Sequence, residues 1–407
     1  MVGVGILLTP ATMMRTLGGV WAPLAMWLAM GTLTAAGALC YAELSTRFPR
    51  VGGTYVFLRE GFGRRCAFVY GWMAMLVMDP GITAALGIGF AQYALAAIGM
   101  SPRFAPACAV AAIVLFALVV TRGLGASARV LRWSATIKLA LVALLIVAGL
   151  GRFMSGAVLA TASGSGGFGA LAAAVVSAFF AFGGWWDLGR MSEEVESPRR
   201  TMPTALIGGV GLVTAIYILV TITFVFAAPD TGATTDEAFV AAAGAALFGA
   251  AAGRLLAAMV VVTVGGSLAA VLLGAPRTYA AMARDRLLPG GVTWFDAERG
   301  RSVIGTTIQA ALACVLVLLG SFDQILGYFV PAAVFFLGLS AATLLRLPRD
   351  TPEASAVFRT PLFPLPLVVF LALIAVMLVL FAGGQPVETL LGALVVLAGL
   401  VVSWLVI

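Results

Sequence analysis

Long apolar runs recur from one end of this chain to the other, each able to cross the ~30 Å of hydrocarbon in a bilayer. Inside hydrocarbon, backbone N–H and C=O groups find no water, so a spanning segment must close its hydrogen bonds within itself, as a helix does. We place spans near 21–44, 67–98, 104–121, 131–151, 168–191, 203–227, 254–276, 303–320, 324–345, 362–383 and 387–407. Charged residues make up 10% of the chain and mean hydropathy is +1.09, whereas soluble domains carry about 25% charge. The chain is therefore expected to be an all-α polytopic membrane protein.

A shorter apolar start, 1–14, precedes the first span. It lacks the basic leader and cleavage-site pattern of a signal peptide, and wholly helical it would reach only ~20 Å. With Gly3, Gly5 and Pro10 it reads as the second half of a broken helix. The expectation that follows is a first helix incomplete at its N-terminus, the chain being truncated there or its start misassigned.

Counting that piece as a crossing, the connections alternate between two sides. One side receives Arg47, Arg50, Arg59, Arg64 and Arg65, then Arg122, Arg129 and Arg132, then Arg190, Arg199 and Arg200. It continues with Arg277, Arg284, Arg286, Arg299 and Arg301, then Arg346, Arg349 and Arg359. The other side holds Arg15, Arg103, Arg152 and Arg254. The positive-inside rule makes the first side cytoplasmic, with both termini inside and the chain in the plasma (inner) membrane. Net charge of +7 is thereby explained by topology, and no nucleic-acid partner is needed.

Four places break the apolar pattern. The run Phe182-Gly-Gly-Trp-Trp-Asp187 interrupts a helix with a glycine pair, and a discontinuous membrane helix offers free backbone groups to a ligand. Asp187 shares a face with that break and can also pair with Arg190 three residues on. Asp79 lies mid-span before Pro80 and Gly81, where the helix should kink or open locally. It either caps the backbone freed by Pro80 or serves a functional pair, since a carboxylate at that depth is costly. Lys138 is the only lysine. It sits about two turns, ~10 Å, inside its span, and either snorkels to the interface or faces a cavity where it can exchange a proton. The segment 236–253 reads as a surface or re-entrant helix.

Catalytic and cofactor chemistry find no support. There is no histidine, no nucleophile elbow, no phosphate-binding loop and no cluster with metal-ligand spacing. Cys40, Cys66, Cys108 and Cys314 are spaced as small apolar helix residues rather than as ligands or disulfides. An enzyme is not expected, nor a cofactor.

Gly3-Val-Gly-Ile6 with Thr9-Pro10, and Tyr41-Ala-Glu-Leu44 with Phe48-Pro-Arg-Val-Gly-Gly-Thr-Tyr55, resemble the opening of amino acid permeases of the amino acid–polyamine–organocation (APC) superfamily. Phe182-Gly-Gly-Trp185 with Ser192-Glu-Glu-Val195 and Pro198-Arg-Arg200 is similar to that family's sixth helix and following loop. Ala283-Arg-Asp285 with Leu288-Pro289 is similar to the motif after its eighth helix. The matches run in order from residue 1 to about residue 289.

The resemblance implies a LeuT-type fold: a 5+5 inverted-repeat core (1–151 and 168–345) and two additional helices (362–407), with the first and sixth helices discontinuous. It implies substrate contacts at Gly3, Val4, Gly5 and Ile6 and at Phe182, Gly183, Gly184 and Trp185. Exposed N–H groups there would receive a carboxylate and unwound carbonyls an ammonium. Lys138 matches the fifth-helix lysine that fills a sodium site in proton-coupled members, and Thr263 and Ser267 would be the alternative sodium ligands. The expectation is a secondary active transporter of amino acids working by alternating access, with H+ as coupling ion in symport. The alternative is amino acid/amine exchange, with Asp79 or Asp187 receiving a second substrate cation. A channel or a non-transporting receptor is the remote third reading.

Overall fold

The computed structural model describes residues 5, 9, 13, 16–19, 21–122, 124–154, 166–227, 241, 244–245, 249–288, 296, 302–320, 322–348 and 357–407. Among these residues the extended regular elements are all helical. They are α1 (Trp21–Arg47), α2 (Thr54–Phe62), α3 (Arg64–Ile98), α4 (Pro102–Thr121), α5 (Leu124–Met154) and α6 (Gly167–Phe182). Then come α7 (Pro198–Ala227), α8 (Ala250–Arg284), α9 (Val303–Leu319), α10 (Phe322–Ala342), α11 (Leu365–Gly384) and α12 (Pro386–Val406). Each apolar run placed from the sequence overlaps one of these helices, but the run expected to continue to residue 191 leaves its helix at Phe182. The segment expected at 236–253 lies mostly outside the described residues.

Burial sorts the helices by role. α3 and α10 are enclosed along most of their length, whereas α4 and α12 turn most of theirs outward, as helices facing lipid do. α1 packs chiefly on α7, and α8 packs on both α3 and α5. α11 lies against α1, α6 and α10. The four cysteines are free thiols.

Two local expectations are refined. The opening near Asp79 is a π-helical turn over Ala74–Met78, just ahead of Pro80. Pro80 brings no N–H and its ring crowds the carbonyl one turn back, so the wider turn relieves the clash without ending the helix. The other concerns α8. It does not stop at Pro276 but runs on to Arg284, because Pro276 falls at the first turn of its second segment, where a missing N–H costs little. Arg277 is consequently buried and donates to the Leu273 carbonyl at 2.7 Å. Arg190 is buried as well. The sequence count places both among the arginines of one side, and each is an interior cation held by partners.

Candidate functional site

α6 ends at Phe182, where glycine permits what other residues resist. Gly183 is extended (φ −52°, ψ 153°) and Gly184 takes φ 93°, a left-handed value that favours glycine. The chain resumes as a 3₁₀ segment over Trp186–Glu194. The last carbonyls of a helix have no partner within it, and two here find one outside. The Gly183 N–H donates to the Phe180 carbonyl at 3.0 Å, and the Tyr217 hydroxyl of α7 donates to the Ala181 carbonyl at 2.6 Å.

Gly5 packs against the same Ala181. A Cβ at Gly5 would lie 2.8 Å from the Ala181 Cβ and 3.1 Å from its nitrogen, so only glycine lets the two backbones meet. Gly5 and Thr9 are helical, and the Thr9 hydroxyl donates to the Gly5 carbonyl at 2.7 Å. Gly3, Val4 and Ile6 lie outside the described residues.

Aromatic rings wall the break. Phe182 is buried with ring centroids 6.0 Å from Trp27 and 5.0 Å from Tyr217, and the Trp27 indole N–H donates to Thr221 Oγ1 at 2.7 Å. Trp185 meets the edge of Tyr41 at 4.9 Å and covers Gly37 of α1. Trp186 stacks on Phe179 at 5.5 Å. The side chains of Phe182 and Trp185 are thus committed to packing, and what the break can offer a ligand is backbone.

Asp79 and Asp187 meet through Arg190. The Arg190 guanidinium donates to Asp79 Oδ1 at 3.0 Å, and the Tyr279 hydroxyl of α8 donates to Asp79 Oδ2 at 2.9 Å. Asp79, Arg190 and Tyr279 are all buried. On its other flank Arg190 Nε lies 3.0 Å from Asp187 Oδ1, whose side chain is 32% exposed. Gln309 of α9 donates to Thr83 Oγ1 at 2.9 Å and to the Asp79 carbonyl at 3.5 Å, and the Thr83 hydroxyl donates to that carbonyl at 2.7 Å. The local Asp187–Arg190 pair is legible from spacing. The bond from Arg190 to Asp79 is not, because 111 residues separate them. An arginine four residues after two tryptophans in an apolar run was the available hint that a buried anion awaited it.

Lys138 of α5 is partly buried, and its Nζ donates to Ser267 Oγ of α8 at 3.3 Å. Ser267 donates in turn to the Thr263 carbonyl at 3.2 Å, and Thr263 to the Met259 carbonyl at 2.8 Å. The lysine and the two hydroxyl residues named from the sequence therefore form one cluster between α5 and α8.

At one end of the bundle three of the sequence motifs converge. Asp285 accepts from the Tyr55 hydroxyl at 2.7 Å and from Arg59 at 2.7 and 2.8 Å, and its carbonyl accepts from Arg64 at 2.9 Å. Burial and the Asp285 carboxylate push the Tyr55 phenol above its ordinary range, so it stays a donor. Gly53 lies against the Gly189–Arg190 backbone, and the Ser192 hydroxyl donates to the Arg50 carbonyl at 3.1 Å.

With this geometry in place, likeness to known proteins can be read. A family model described as amino acid permease matches residues 1–404. The chain is similar to the mouse b(0,+)-type amino acid transporter 1, at 26% identity over 99% of this chain and 84% of the relative. It is similar to the human cystine/glutamate transporter at 26% identity, covering 98% of this chain and 80% of that protein. The serine/threonine exchanger SteT of Bacillus subtilis is also 26% identical, over 89% of this chain and 83% of its own length.

Proposed function

The chain belongs to the amino acid permease family, and from that premise we propose that it is a secondary active transporter of amino acids working by alternating access, not an enzyme. The observation that carries this reading is the Gly183–Gly184 break of α6 with Gly5 packed on its last turn. Free N–H and C=O groups at a half-helix junction suit the zwitterion of an α-amino acid, carboxylate toward the N–H groups and ammonium toward the carbonyls. Gly3, Val4, Gly5, Ile6, Gly183 and Gly184 supply that backbone, and Phe182 and Trp185 hold its walls. Residues 1–151 and 168–345 act as the two repeats that move against each other, with 362–407 beside them.

Proton symport through Lys138 is the favoured coupling. Its Nζ sits 3.3 Å from Ser267 Oγ, so an ammonium occupies the neighbourhood in which Thr263 and Ser267 would otherwise hold sodium. Loss and gain of a proton on Lys138 would then switch the charge between α5 and α8. Exchange is the second reading, favoured by the similarity to a serine/threonine exchanger and by Asp187, which keeps an open side beside the break. Asp79 suits that role less, as both its oxygens are taken.

Purified protein in proteoliposomes tests both levels. Saturable uptake of labelled amino acids and counterflow are expected, and their absence for all twenty would end the transport reading. An imposed acid-outside gradient should drive accumulation in the intact protein but not in Lys138→Ala. Accumulation that survives this change would remove the lysine from coupling.

A further inference from the structure

The nine residues Trp186–Glu194 continue a membrane helix in 3₁₀ form, although such runs rarely exceed three or four residues because their hydrogen bonds are poorly aligned. Local bonding alone does not hold this segment, so tertiary contacts must. Those near its ends are apolar or neutral: Trp186 stacks on Phe179, and Ser192 bonds the Arg50 carbonyl. In between, Gly189 meets the backbone of Gly53, and the side chain of Arg190 enters the bundle.

Arg190 meets charge on two sides. Asp187 belongs to the same segment, so that pair cannot fix the segment to anything else. Asp79 belongs to α3, and its second oxygen is held by Tyr279 of α8. Behind it, Gln309 of α9 and Thr83 bond the Asp79 main chain at the π-to-α junction of α3. The Asp79 carboxylate thus ties α3 and α8 to the segment that follows the break, and α9 braces its main chain.

We infer that Arg190 is a positioning residue for the substrate site: its bond to Asp79, backed by Tyr279, sets where the chain after Gly184 lies. The backbone of the break then depends on a charge pair about two 3₁₀ turns further along. Removing Arg190 leaves Asp79 as an uncompensated buried charge, which is worse than removing both, whereas removing Asp79 leaves Arg190 with Asp187 alone and the segment without its tie to α3. The inference rests on the break being the substrate site, yet its direct readout does not need substrate.

That readout is hydrogen–deuterium exchange in peptides covering 183–194, measured on the full chain in lipid nanodiscs. Asp79→Asn and Arg190→Gln should each speed exchange of this segment by roughly tenfold or more, with α1 and α10 protected as in the parent. The double variant D79N/R190Q should exchange more slowly than R190Q alone, and Tyr279→Phe should give a smaller change of the same kind. Where uptake is measurable, the single variants should raise KM at matched amounts of folded protein.

Unchanged exchange over 183–194 would overturn the inference. So would faster exchange spread evenly over all helices, which marks loss of general stability. If the single variants do not fold, the double variant and Tyr279→Phe decide by the same measurement. A parent protein that transports nothing would fail the functional reading, while the exchange pattern would still judge Arg190.

Discussion

Substituting Gly5 by alanine probes the closest backbone approach in the candidate site. The added Cβ would stand 2.8 Å from Ala181 Cβ and 3.1 Å from Ala181 N, against an ordinary contact of 3.4–4 Å. The obstruction is main chain, which cannot swing aside as a flexible side chain would. The Ala181 Cα is nearer still, so Gly5 and α6 must part by roughly an ångström to reach ordinary packing distance, just where Tyr217 holds the Ala181 carbonyl at 2.6 Å. Overpacking of this kind costs about 1–3 kcal/mol, or about 5- to 150-fold in an equilibrium that needs the closed contact. Gly208→Ala is the matched control, since nothing lies within 4 Å of a Cβ there. In proteoliposomes Gly5→Ala should weaken apparent amino acid affinity within that range, while Gly208→Ala behaves as the parent. Equal affinities and equal thermal stability for the parent and Gly5→Ala would refute the claim that this contact shapes the site.

Tyr217→Phe removes one buried donor and strands the Ala181 carbonyl, so a loss of about 1–3 kcal/mol is expected in thermal or denaturant stability. Trp27→Phe deletes the bond to Thr221 while keeping an aromatic wall, and should cost about 0.5–1.5 kcal/mol by the same measurement. Asp285→Asn takes the charge from the partner of Tyr55 and Arg59. With these side chains about a fifth exposed, we expect about 1 kcal/mol or less, read as a small fall in the melting temperature that added salt diminishes.

Span number and position were legible because they depend on summed apolarity, which survives errors in the detail of any one residue. The break was legible for a similar local reason: a glycine pair inside an apolar helix has few other uses. What followed it was not. A continued span to residue 191 and a 3₁₀ segment over Trp186–Glu194 have the same composition, and only tertiary contacts decide between them. Counting arginines by side gave no warning that Arg190 and Arg277 are buried, since a count carries no information on burial. Lys138, Thr263 and Ser267 were grouped by resemblance, and the structure places Lys138 on Ser267. Tyr217 and Tyr279 escaped notice altogether, as a tyrosine in an apolar helix shows no sign of which way its hydroxyl points.

The two buried ionic centres differ in how much freedom each leaves its charge. Asp79 is satisfied on both oxygens by Arg190 and Tyr279, in a pocket closed by four elements. A charged bond and a neutral one hold it together, so it suits a fixed strut. Among the described residues, Lys138 meets only a neutral partner, at 3.3 Å, a serine already engaged with its own helix. Its neutral form gives up little that holds α5 to α8, which suits a group that changes charge during a cycle. The distinction between the two sites therefore lies in the number and charge of the partners: Asp79 has a cation and a phenol, Lys138 a serine.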